Sequence, residues 1–199
     1  MKFTRSPFFI PLLAAAAVFA GMLGYVTFFQ FPAQSLKTQA LGGDFTINTA
    51  KGPFKLADHR NKIVVLYFGF ANCPDVCPTA LAMTTAVLKT LSEEQQAQIQ
   101  PVFISVDPER DTLDNLQQYG QYFYPRLISG TDNKENIDAL VKRYGAYYRI
   151  TQQAESAMGY TVDHTSRLYI IDKQGKFADT VSHGSITTEL ATKLAPHLQ

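Results

Sequence analysis

IVVLYFGFANCPDVCPTAL, residues 63–81, is the stretch on which the fold turns. Its first eight residues, Ile63 to Phe70, are an unbroken apolar, β-branched and aromatic run, the pattern of a central strand buried on both faces. From Pro78 the pattern changes. Leu81, Thr84, Leu88 and Leu91 recur at helical spacing, and Pro78 suits a first helical turn, so a crossover helix is predicted over residues 78–91. Between strand and helix lie Cys73 and Cys77, the only cysteines of the chain.

Working outward, PVFISVD (101–107) and RLYIID (167–172) repeat the strand character of residues 63–70. Asp111 is positioned to cap a helix carrying Leu113, Leu116 and Phe123, and Asn133 one carrying Ile137, Leu140, Val141 and Tyr144. Lys173 to Gly175 reads as a hairpin turn, with a terminal helix from about Ser185. Strands alternating with helices and closing on a hairpin imply an α/β domain, a mixed sheet covered by helices, running from Asp44 to Gln199.

Upstream, no charge occurs from Ser6 through Leu36, and Phe8 to Phe29 is apolar enough to cross about 30 Å of hydrocarbon. Lys2 and Arg5 flank it on the N-terminal side, which predicts a cytoplasmic N-terminus and an exported domain. The expected layout is a short stub and single membrane anchor over 1–31, a linker over 32–43 (the Pro- and Gly-containing segment) and one domain over 44–199. A cleaved signal peptide is the competing reading, but the run exceeds the usual 7–15 residues and no clear A-x-A site follows. The N-terminus lacks the Arg- and Ser-rich character of an organelle transit peptide, so a bacterial inner membrane is expected, with the domain in the periplasm. With 199 residues, 46% of them hydrophobic, there is room for one core and little for a second catalytic domain. The 18 basic and 17 acidic side chains give a net charge of +1, which offers no field to hold nucleic acid.

Two cysteines four apart at the mouth of a helix are chemically placed. Unsatisfied backbone N–H groups there stabilise a thiolate, which is both nucleophile and soft metal ligand. The spacing puts both sulfurs on one face of a turn, close enough to share an ion or to form a small disulfide. Thioredoxin-like redox motifs are usually C-x-x-C, so the extra residue here leans toward metal. A third donor is then needed, and His164, in VDHTS (162–166) just before the apolar strand, is the best placed of four histidines. His59, His183 and His197 read as solvated surface residues. Two thiolates and an imidazole suit copper(I) better than zinc, which prefers four ligands.

FGFANCPDVCPTAL (68–81), SVDPERDT (105–112) and VDHTSRLYIID (162–172), in that order, resemble the Sco/SenC family of copper-binding proteins across the whole exported part. The resemblance implies a thioredoxin-like fold and a copper site formed by Cys73, Cys77 and His164. It also implies a role in assembling the dinuclear copper centre of cytochrome c oxidase, by delivering copper or by keeping the target cysteines reduced, with the copper-accepting subunit or another periplasmic copper protein as the expected partner. Copper(II) would use the same ligands with a further oxygen, and the oxidised Cys73–Cys77 disulfide would bind no copper tightly. The segment before RLYIID carries no proline of the kind that faces the cysteines in thiol oxidoreductases of this fold, which favours a ligand role for His164. Asp107 in the second motif and Asp163 beside His164 are candidates to support the ligands, Asp163 by orienting the imidazole. Met83 and Met158 are soft side chains that read as packing. The rival readings are a membrane-tethered thiol-disulfide reductase and a copper or redox sensor.

Overall fold

A computed structural model describes residues 18–22, 24–25, 41–153 and 159–198. The chain separates into two units, residues 1–39 and 40–199. In the first, residues 18–22 and 24–25 are helical. Among the described residues no helix is long and apolar enough to cross a membrane; most of the expected anchor and linker lies outside them, as does Met158.

The second unit is built on a five-stranded mixed sheet. In chain order the strands are β1 (Thr46–Thr49), β2 (Gly52–Lys55), β3 (Ile63–Gly69), β4 (Ile99–Ser105), β5 (Ile128–Gly130), β6 (Tyr148–Gln152), β7 (Tyr160–His164), β8 (Arg167–Ile171) and β9 (Phe177–Ser182). The helices are α1 (Val76–Lys89), α2 (Glu93–Ala97), α3 (Leu113–Phe123), α4 (Lys134–Arg143) and α5 (Ile186–Leu194). The central sheet has the order β5-β4-β3-β8-β9. β3 and β5 run parallel to β4, whereas β8 runs antiparallel to both β3 and β9.

Every residue of β3 and of β4 is buried, as the continuous apolar run at 63–70 predicts. Around β3 the rings of Phe68, Tyr144 and Tyr169 meet edge to face with centroids 5.5–6.1 Å apart. Each such pair adds about 0.5–1.5 kcal/mol to the burial of its rings. α1 turns Ala80, Leu81, Thr84 and Leu88 inward and packs against α5, while α3 packs against β5 and β1. Asn133 caps α4 by accepting from the Asn136 N–H, and Gly175 makes the β8–β9 turn at a φ of 78°.

Two short antiparallel hairpins, β1–β2 and β6–β7, stand outside the central sheet. β3 and β4, being parallel, end side by side at Gly69 and Ser105, and the pairing continues one step further as Val106 N–H donates to the Gly69 carbonyl. The loops that follow, 70–75 and 106–112, therefore leave the sheet at the same edge, the usual place for a ligand in a parallel arrangement.

Candidate metal centre

Cys73 lies in the loop after β3 and Cys77 in the first turn of α1. The backbone N–H of Cys77 points at the Cys73 sulfur, 3.4 Å away. α1 has no side-chain oxygen cap, so the Cys73 sulfur serves one of the N–H groups a helix start leaves open. His164 is the last residue of β7, a strand and not the loop its sequence suggested. Its Nε2 is 3.2 Å from the Cys77 sulfur, and its Nδ1 lies 3.3 Å from the Thr165 carbonyl, which sets the face the ring presents. The two sulfurs and one imidazole nitrogen all lie within 4.8 Å of one another, the one such cluster of metal-ligating side chains among the described residues.

Burial and hydrogen bonding divide the two thiols. Cys77 is fully buried, and desolvation pushes its thiol up, so it keeps its proton. Cys73 is lowered to about 4, chiefly because the Cys77 S–H donates to its thiolate, with help from the imidazole of His164 and the N–H groups of Asp75 and Cys77. Both cysteines are free. Gly69 makes room for this arrangement. A Cβ there would sit 2.8 Å from the Cys77 sulfur and 2.8 Å from the Phe103 ring.

The motif at 105–112 holds the surroundings together. Asp111 does not cap α3; Thr112 does, accepting from the Asn115 N–H. Asp111 is instead buried, accepting from the Ala71 N–H at 2.8 Å, the Ser105 hydroxyl at 2.5 Å and the Asn72 side chain at 3.3 Å. It thus pins the loop that leads to Cys73. Sequence reasoning assigned it to the helix because an Asp two residues before an apolar helical pattern is the ordinary cap signal. Burial raises its carboxyl above the usual range. Asp107, 1% exposed, touches neither sulfur nor imidazole; its carboxylate accepts from Arg110 Nε at 2.5 Å and the Tyr160 hydroxyl at 2.8 Å.

Asp163 does not orient His164. Side chains alternate along a strand, so with His164 turned inward Asp163 points outward, where it accepts from Arg149 and Thr151, both at 2.9 Å. The other histidines are apart from the sulfurs, but they are less solvated than their sequence contexts suggest. His59 stacks on Phe54 with centroids 4.4 Å apart, and the Nδ1 of His183 is shielded from solvent. Met83 is half-buried and packs against the core.

A donor set of two sulfurs and one imidazole, largely withdrawn from water, fits a soft ion of low coordination number. It offers no carboxylate for a hard cation. The family described as SCO1/SenC matches residues 33–199. Yeast protein SCO2, mitochondrial, is 37% identical over 71% of this chain and 48% of its own length. The human SCO1 homolog, mitochondrial, is 35% identical over 80% of this chain and 53% of its own. The chain thus spans about half the length of these curated relatives. Among solved structures, yeast Sco1 with copper bound is 31% identical, with a TM-score of 0.71, covering 80% of this chain and 88% of that one. Bradyrhizobium japonicum ScoI with copper bound is 30% identical, with a TM-score of 0.70, covering 79% and 99%. Sheet order, helices and these likenesses make the domain thioredoxin-like, and this chain belongs to the SCO1/SenC family.

Proposed function

We propose that this chain is a membrane-anchored copper chaperone that binds copper(I) through Cys73, Cys77 and His164 and passes it to a copper-accepting subunit of cytochrome c oxidase. The observation that carries the reading is the convergence of two sulfurs and an imidazole within 4.8 Å, from segments 87 residues apart in sequence. Copper in the solved relatives supports the choice of metal. The apolar run Phe8 to Phe29, with Lys2 and Arg5 before it, supports an anchor in a bacterial inner membrane with the domain in the periplasm. Cys73, 9% exposed, and half-buried His164 are the ligands an acceptor reaches first, with Cys77 the last to let go.

An anaerobic copper(I) competition titration of the reduced full-length chain tests this. One tight equivalent, lost in Cys73→Ser and weakened in His164→Ala, is the expected result. A wild type that binds no better than either variant overturns it. The depressed Cys73 thiol favours one second reading, a thiol-disulfide reductase acting on partner cysteines. That activity survives His164→Ala, whereas copper(I) binding is weakened.

A further inference from the structure

The ligand His164 sits on a hairpin that shares no ladder with the central sheet, so something else must set its distance from the sulfurs. Tyr160, Val162 and His164 occupy alternate positions of β7 and so share its inner face, with Val162 buried. Tyr160, at the far end of that face, is gripped from three directions. Its hydroxyl donates to buried Asp107 at 2.8 Å, its carbonyl accepts from Arg110 Nη1 at 2.9 Å, and its ring lies under the Arg110 guanidinium, 3.6 Å from centroid to carbon. Arg110 is in turn held by Asp107 at 2.5 Å and lies 5.7 Å from the ring of Phe70. Phe70 meets the His164 ring edge to face at 5.9 Å.

Resting on the copper-site reading above, we propose that Arg110 and Tyr160 are positioning residues that hold the imidazole of His164 over the cysteine pair. Asp107 fixes the guanidinium from below. Arg110 then fastens the distal end of β7 and backs Phe70, one of two rings, with Tyr67, that meet the imidazole edge to face at 5.9 Å. The ligand-bearing face of the hairpin is thereby fixed in tilt, although neither residue touches a ligand atom. Loss of the grip leaves the cysteines in place and lets the nitrogen donor swing away, turning a three-donor site into a two-sulfur one.

The test uses the reduced full-length chain with copper(I) as the probe, comparing wild type with Arg110→Ala, Tyr160→Ala and Tyr160→Phe. Ile186→Val, in α5, controls for plain loss of stability. The readouts are the donor set at copper by X-ray absorption, copper(I) affinity by competition, and proton NOEs between the His164 and Phe70 rings in the metal-free protein. Arg110→Ala and Tyr160→Ala are expected to lose the NOEs and the nitrogen donor and to weaken copper(I) binding about 10- to 100-fold. Tyr160→Phe, which keeps the ring under the guanidinium, restores most of both, and Ile186→Val changes neither. If one alanine variant fails to fold, the other decides. An alanine variant that melts lower yet keeps the NOEs and the nitrogen donor overturns the proposal. Should wild type itself take up no copper(I), the chaperone reading falls, and the NOEs of the metal-free variants alone decide the positioning role.

Discussion

The Nε2 of His164 stands 3.2 Å from the sulfur of Cys77, although 87 residues separate them in the chain. Cys77 is wholly buried and held by the first turn of α1, so the imidazole comes to the sulfur and not the reverse. The sulfur side of the cluster thus belongs to the buried start of α1, and the imidazole side to a separate hairpin.

From that asymmetry the two ligand substitutions differ in kind. Cys77→Ser replaces a soft inner donor with a hard oxygen that cannot be reached from outside, and high-affinity copper(I) binding is expected to vanish. His164→Ala keeps both sulfurs and is expected to weaken binding by at least about tenfold, ~1.4 kcal/mol. Competition titrations of the two proteins check this; equal losses would contradict the layered site.

Cys73 should behave as a thiolate far below the ordinary thiol range. Its thiol is lowered to about 4, so the rate of alkylation by iodoacetamide is expected to stay flat from about pH 5 to 8. An ordinary thiol gains about tenfold per pH unit over that window. His164→Ala removes one donor to the thiolate and should move the inflection upward. Mass mapping should place the first label on Cys73, because Cys77 keeps its proton and is shielded. A rate that climbs steadily to pH 8 would mean the thiolate is not stabilised.

Asp111 has three donors and no access to water. Asp111→Ala leaves the Ala71 N–H and the Ser105 hydroxyl without their acceptor and frees the loop before Cys73. We expect a loss of about 2–4 kcal/mol in urea unfolding of the metal-free protein, together with weaker copper(I) binding. Unchanged unfolding would show that the loop is held elsewhere.

The long apolar runs were legible because burial on both faces leaves a strand no polar positions. β3, β4 and β8 and the helix following the cysteines were read within a few residues of their bounds. The hairpins β1–β2 and β6–β7 were not. Their strands are four or five residues long and carry at most one fully buried residue each among exposed and half-buried ones, so TINT, GPFK and YRITQ show no apolar run or sustained alternation to betray them. Missing β7 had a direct consequence at the site. Once His164 is known to end a strand facing the core, the parity of that strand turns Asp163 outward, toward Arg149. Asp111 was misread for a different reason: a capping aspartate and an aspartate that pins a distant loop look alike in sequence, and only its 39- and 40-residue reach to Asn72 and Ala71 separates them.

Gly69 ends β3 against the sulfur of Cys77, one of the three clustered donor side chains. An added methyl would lie 2.8 Å from the Cys77 sulfur, 2.8 Å from a Phe103 ring carbon and 3.2 Å from a Tyr67 ring carbon, inside the contact distance on three sides. Phe103 and Tyr67 are fully buried aromatic side chains in close contact with their neighbours, so neither can give way cheaply. The sulfur of Cys77 is the smallest of the three obstacles and must shift. Gly69→Ala is therefore expected to cost about 1–3 kcal/mol in unfolding free energy, the usual range for overpacking a core, and to weaken copper(I) binding by displacing the inner ligand. Paired melting and titration experiments separate the two effects. A variant that melts lower but binds copper(I) as tightly as wild type would show that the sulfur keeps its place while the rings move.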